Sequence, residues 1–288
     1  MDSFLKKVEL IIRDKRAQLP TLPVVVDSML KIARDESASA ADLANAISRD
    51  QAIVNKTLKL ANSAYYGFIR SIDTVSHAIA LIGFNEVISL ILGMSVFSAF
   101  RLKGGGRFFD IRDLWLHSIA CAFMAKKIAK KTGPGGDTPI FLCGLIHDMG
   151  KVFLSAYFPD EYSQVLEASE NTQVPLFRKE EEILGLNHST VAGLLMERWN
   201  LPDNLRLPCR FHHNSSACPA ESRSQATIIE IANFLCHKAD IGYSGNSSME
   251  MPEVLIQKMG ISDNDMDSFL KELQEERAEI EEFLGIMS

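Results

Sequence analysis

The chain has 288 residues, 47% hydrophobic and 23% charged, with 30 Lys and Arg against 37 Asp and Glu, for a formal net charge of −7. That composition is the ordinary one of a globular protein with room for one large domain or two modest ones. The negative balance argues against broad binding to nucleic acid or anionic membranes, since no basic stripe offsets it. The five cysteines (Cys121, Cys143, Cys209, Cys218 and Cys236) are odd in number and lack CxxC spacing. Free thiols in a reducing cytoplasm fit best. The N-terminus turns charged at once, without the basic-then-apolar pattern of a secretory signal.

Residues 3–18 predict an amphipathic, charge-rich helix, stopped by the two prolines of Leu19-Pro20-Thr21-Leu22-Pro23. Val25, Met29 and Ile32 then recur at helical spacing up to Arg34. Ser39 is a plausible N-cap with Asp42 three residues on, followed by Leu43 and Ile47 on one apolar face. Asp50 caps the next helix, whose Ile53, Thr57, Leu58 and Leu60 face inward. Thr74 caps a short helix bearing Val75, Ile79 and Ile82. The apolar stretch Ala78–Phe100 has the length of a membrane span, but Asn85 and Glu86 interrupt it, so it reads as a buried core helix. His77 stands alone and reads as a structural or surface residue.

Gly104-Gly105-Gly106, between Lys103 and Arg107, marks the expected domain boundary. It lacks the spacing and the Lys-Ser/Thr of a phosphate-binding loop. Asp110 or Asp113 opens a helix through Trp115, His117, Cys121 and Met124 to Lys131, ended by Gly133-Pro134-Gly135-Gly136. Lys126, Lys127, Lys130 and Lys131 on it read as a solvated face. Ile140–Phe153 predicts one helix bearing His147 and Asp148. Further helices are expected over about 160–170, just before Gly185-Leu186-Asn187-His188, over 189–199, from Asp203 to His212-His213, and over 226–238. Residues 242–251 read as loose, and the tail from Pro252 as an acidic pair of helices docked on its own chain. Nothing alternates with period two, so the fold class is all-α, an N-terminal helical bundle (1–103) beside a second helical bundle (107–240) and a tail (241–288).

The chemistry concentrates in Gly144-Leu145-Ile146-His147-Asp148-Met149-Gly150-Lys151. Imidazole offers a borderline-soft nitrogen and the carboxylate a hard oxygen able to bridge two metal ions. Alone the pair is weak, because a histidine beside a carboxylate, or near a helix C-terminus, is often satisfied without metal. Around it in chain order come His117, His188, His212 and His213, each in or at the end of a predicted helix. As a set they point to a polar pocket able to hold a metal ion.

These residues resemble the HD superfamily of metal-dependent phosphohydrolases. Over roughly residues 15–240 the chain is similar to HDOD proteins, a signalling branch related to the HD-GYP cyclic-dinucleotide phosphodiesterases. The resemblance rests on Leu19–Pro23, Leu60-Ala-Asn-Ser-Ala-Tyr-Tyr-Gly67, Ala78-Ile-Ala-Leu-Ile-Gly83, Gly144–Lys151, Gly185–His188, Trp199-Asn-Leu-Pro202 and His212-His213. It implies that His117, His147, Asp148, His188 and His212 or His213 are metal ligands, with Asp148 bridging and Lys151 facing a phosphate. Glu182 or Glu180 matches an acid that sometimes joins the site. The pattern departs at Asn233, where the enzymes place an aspartate, and at Asn214-Ser215-Ser216, where HD-GYP enzymes carry Gly-Tyr-Pro.

Two functions are therefore expected. One is a cytoplasmic regulatory module that works through a protein partner and keeps a degraded HD pocket for one or two divalent ions (iron, manganese or zinc). The other is an active phosphohydrolase on a nucleotide or cyclic dinucleotide, with Asp148 and Lys151 in catalytic roles. A scaffold whose histidines pair only with protein groups is a weaker third.

Overall fold

The computed structural model describes residues 3–14, 19, 24–35, 37–100, 110–133 and 139–287, and every regular element among them is helical. Pro20–Pro23, the Gly104–Gly106 run with Lys103 and Arg107, Pro134–Gly136, residues 15–18 of the first predicted helix and the side chain of Val25 lie outside the described residues. In chain order the helices begin α1 (Phe4–Arg13), α2 (Val24–Arg34), α3 (Ala40–Ile47), α4 (Gln51–Ala61), α5 (Val75–Ile82) and α6 (Phe84–Phe100). Then come α7 (Ile111–Thr132), α8 (Ile140–Ile146), α9 (Met149–Tyr157), α10 (Pro159–Thr172), α11 (Leu176–Leu184) and α12 (His188–Arg198). The chain ends through α13 (Asp203–Arg210), α14 (Ala220–Lys238), α15 (Glu253–Lys258), α16 (Asp263–Glu275) and α17 (Arg277–Met287).

The chain forms two compact units, one of Met1–Pro20 with Phe100–Glu275, the other of Thr21–Ala99 with Glu276–Ser288. The three expected segments follow the order of the chain, whereas these units follow packing. In the larger unit α1 lies on α12, its Phe4 ring 4.7 Å from Phe158. In the smaller unit α17 lies on α4, where Lys56 Nζ donates to the Met287 carbonyl at 3.0 Å.

Local chemistry explains the helix starts. Ser39 Oγ accepts from the Asp42 amide while the Asp42 carboxylate accepts from the Ser39 amide, a complete capping box. Asp50 accepts from the amides of Ala52 and Ile53, Thr74 from His77, Asp110 from Arg112 and Asn187 from Thr190. Asp110, not Asp113, caps α7. Thr57 and Leu60 are buried as expected, Ile53 and Leu58 half-buried, and His77 exposed.

Residues 87–97 of α6 are all buried, as a core helix requires, and α5 and α6 meet at a 115° bend. By length and composition Ile140–Tyr157 could cross a membrane, but 83% of it is buried within the protein. In the larger unit α7 packs on α8 and α14, α12 on α9 and α13, and α16 on α7 and α14. The lysines of α7 are not simply a solvated face: Lys127 pairs with Glu272 at 2.6 Å and Lys131 with Asp265 at 2.8 Å, both on α16.

The predicted helix 140–153 is interrupted. His147 and Asp148 form a turn between α8 and α9, Asp148 having φ −94° and ψ 6°. Two glycines of the same stretch permit close helix contacts. A Cβ on Gly144 would lie 2.6 Å from Ala122 Cα, and one on Gly150 would lie 2.0 Å from the His188 carbonyl oxygen. Backbone cannot yield as a flexible side chain can. Gly150→Ala should therefore destabilise the protein by about 3 kcal/mol or more, read as a lowered midpoint of urea unfolding. An unchanged midpoint would contradict the packing of α9 on α12.

Candidate metal centre

Five elements of the larger unit deliver the polar side chains. His117 comes from α7, His147 and Asp148 from the α8–α9 turn, Lys151 from α9, His188 from the first position of α12, and His212 and His213 from the turn after α13. Neighbouring residues of a regular helix point about 100° apart. The break between α8 and α9 lets His147 and Asp148 serve one focus, just as the turn after α13 does for His212 and His213.

Asp148 stands at the centre. Its Oδ2 lies 2.8 Å from Lys151 Nζ, 3.3 Å from His147 Nε2 and 4.0 Å from His117 Nε2. Its Oδ1 lies 3.1 Å from His188 Nε2 and 3.7 Å from His212 Nε2. His188 Nε2 is in turn 3.4 Å from His212 Nε2 and 3.0 Å from His213 Nε2. The potential ligand atoms form two groups, His117–His147–Asp148 and His188–His212–His213, each within 4.8 Å. Donors that share one divalent ion at about 2.0–2.2 Å sit roughly 3–4 Å apart, so these separations are compatible with a metal site.

The far sides of the rings are tied down. His147 Nδ1 donates to the Gly144 carbonyl at 2.7 Å and His212 Nδ1 to the Cys209 carbonyl at 2.7 Å. A carbonyl only accepts, so each Nδ1 carries the proton and each Nε2 turns a lone pair inward. His188 Nδ1 donates to Glu180 Oε2 at 2.6 Å. Glu180 also accepts from the His188 amide at 2.8 Å and from the Tyr162 hydroxyl at 2.8 Å. A histidine backed by a carboxylate or carbonyl is the arrangement that orients metal-binding imidazoles. His147 Nε2 and Asp148 Oδ1, both buried, have no hydrogen-bond partner among the described protein groups. Leaving such atoms unmatched is costly, and a cation would satisfy both.

The centre is sealed: His147, Lys151, Glu180, His188 and His212 are 0% exposed and Asp148 1%. Burial alone would raise the Asp148 pKa, yet the neighbouring His147 and Lys151 hold it well below the usual carboxylate range. Burial pushes the His117 imidazole down to about 3 and, with its histidine neighbours, His212 and His213 well below their usual value. His188 moves the other way, because Glu180 and Asp148 outweigh its burial.

All of His117, His147, Asp148, His188, His212 and His213 gather here. Asn233, from α14, places Oδ1 3.0 Å from His117 Nε2. Lys151 is engaged by Asp148 and by the Ser244 carbonyl at 3.0 Å. Of the two acids left open, Glu180 is inside, whereas Glu182 is exposed and paired with Lys179 at 2.7 Å. His213 is partly exposed, with Phe177 stacked on it at 4.3 Å. Sequence reasoning missed Tyr162, which holds Glu180, and Ser244. Ser244, Gly245 and Asn246 of the segment expected to be loose are buried, and Asn246 Oδ1 accepts from the Leu176 amide at 3.3 Å.

Comparison with known proteins gives a consistent picture. The HDOD domain profile matches residues 19–215, more than half of the chain. An uncharacterized protein of Treponema pallidum (strain Nichols) is 25% identical over 234 residues, covering 79% of this chain and 44% of its own length. The chain thus spans less than half of that relative. An HDOD domain protein of unknown function from Geobacter sulfurreducens shares the fold with a TM-score of 0.78 and 24% identity, covering 97% of this chain and 99% of that one. A candidate phosphohydrolase from Shewanella amazonensis SB2B shares it with a TM-score of 0.74 and 20% identity, covering 99% and 98%.

Tyr162→Phe removes the hydroxyl that donates to Glu180 Oε1 and leaves a buried carboxylate oxygen short of a donor. A loss of about 1.5–3 kcal/mol is expected, measured by urea unfolding. A neutral substitution would show that Glu180 is not held through Tyr162.

Proposed function

Since the chain belongs to the HDOD domain family, we propose that it is a regulatory signalling module whose HD-type pocket holds a divalent metal ion and does not turn over a substrate. The observation that carries this reading is the burial of Asp148, 1% exposed, among histidines from α7, α12 and the end of α13, with the lone pairs of His147 and His212 turned inward. His147, Asp148, His188, His212 and His213 would hold the ion, which is iron, manganese or zinc by the nature of its nitrogen and oxygen donors. When bound, such an ion supplies positive charge that draws these helices together, and Lewis acidity. Asn233, in place of an aspartate, and the absence of Gly-Tyr-Pro after His213 weigh against turnover. Output then passes to a protein partner in a cytoplasmic pathway, a setting that suits five buried free cysteines.

A second reading is a phosphohydrolase acting on a nucleotide or cyclic dinucleotide. It is favoured by the way Asp148 offers one oxygen to each of two donor groups, as a carboxylate bridging two metals does, and by the name of the Shewanella structure.

Protein purified without chelator or histidine tag should carry at least one equivalent of metal by mass spectrometry, and Asp148→Ala should carry none. Glu180→Gln should weaken metal affinity by about 10- to 100-fold by loosening His188. The loaded protein should leave cyclic dinucleotides and nucleotides intact. Hydrolysis abolished by Asp148→Ala would establish the second reading, and absence of metal even after reconstitution would contradict both.

A further inference from the structure

The two sides of Asp148 are unequal, and we infer that the chain holds one divalent ion, not two, on the His188–His212–His213 side, because Lys151 and Asn233 already occupy the other. This inference rests on the metal-holding reading above and concerns where, and how many, ions are held.

On the Oδ2 side the cation position is already filled by protein. The Lys151 ammonium is 2.8 Å from Oδ2 and is fixed by a second bond to the Ser244 carbonyl. Its position is not that of a stray surface lysine, because its side chain is fully buried. The histidine of this side is engaged as well: His117 Nε2 meets the Asn233 side-chain amide at 3.0 Å. Whichever way that amide is turned, it occupies the ring nitrogen that a metal would need. His147 belongs to this side as well: its Nε2 lies 3.3 Å from Oδ2 and has no hydrogen-bond partner among the described groups, but with Oδ2 held by the ammonium and His117 by the amide it is the one donor left there.

On the Oδ1 side no ammonium intervenes among the described residues. Oδ1 lacks a hydrogen-bond partner among the described groups, and His188, His212 and His213 bring three Nε2 atoms together. The acid behind them, Glu180, braces this side alone, through His188. Charge argues the same way. Asp148 and Glu180 against the Lys151 ammonium leave one net negative charge, so one divalent ion brings the buried site to a single positive charge, whereas a second would add two more. Like charges at such distances in a low-dielectric interior repel strongly. Lys151 therefore acts as a built-in replacement for a second metal, a positioning residue that fixes Oδ2 and leaves Oδ1 to the ion.

The test is titration of the chelator-stripped, full-length chain with Co2+, followed by visible absorption and by equilibrium dialysis. One Co2+ per chain is expected. His212→Gln should weaken binding by about tenfold or more, and His117→Gln should leave it within roughly threefold. Lys151→Met combined with Asn233→Asp should raise the count to two. If that double variant does not fold, the two histidine variants still decide. Two Co2+ in the unaltered chain, or equal losses in His117→Gln and His212→Gln, would overturn the inference while leaving the metal-holding reading intact. No Co2+ at all would overturn that reading and this inference with it.

Discussion

The larger unit depends on how it meets one buried negative charge. Asp148 is withdrawn from water, and an ion so placed costs several kcal/mol unless its partners compensate. Lys151 supplies one compensation from the next turn of α9, and the histidines of α7, α12 and the α13 turn converge on what remains. Those rings are themselves fixed from behind by the Gly144 and Cys209 carbonyls and by Glu180. The packing glycines follow from the same demand. Gly150 lets α9 lie against α12 closely enough for His188 to reach Asp148, and Gly144 seats α8 on α7 at Cys121 and Ala122.

Much of this was legible in the sequence, and the parts that were not share a cause. Helix starts at Ser39, Asp50, Thr74 and Asp110 follow from a few adjacent residues, because capping is local. The histidine set was legible because His147, His188, His212 and His213 sit at helix ends or in the turns after them, with His117 inside α7. The break at His147 was not, since Leu145, Ile146, Met149, Val152 and Phe153 keep an apolar pattern running through it and all are buried. The choice between Glu180 and Glu182 could not be made on α11 alone. It is settled by Tyr162 and His188, which lie on other helices. Ser244 and Asn246 carry no periodic signal. They are buried because Gly242, at φ +67°, turns the chain so tightly on α7 that a Cβ there would lie 2.4 Å from the Asp113 carbonyl.

On the proposed reading the site has a structural or sensing role. Catalysis at a metal needs an open position for the reacting group, whereas here the carboxylate, its lysine and the histidines nearest to it are closed off. Among the described residues of the site, His213, under Phe177, is the one that is partly exposed. An ion held at such a point would join the α8–α9 turn, α12 and the end of α13, and would satisfy Asp148 Oδ1 and His147 Nε2, which have no hydrogen-bond partner among the described groups. Its gain or loss would change how firmly those helices are held. On the proposed reading, that is the two-state element of a regulatory module.

The central claim is tested most directly by anomalous X-ray diffraction, at a metal absorption edge, from crystals grown without chelator. A single peak within coordination distance of Asp148 Oδ1, His188 and His212, with Lys151 still bonded to Oδ2, is the result expected. A map with no anomalous peak there, and with ordinary hydrogen bonds or water completing Asp148 and the histidines, would contradict the account.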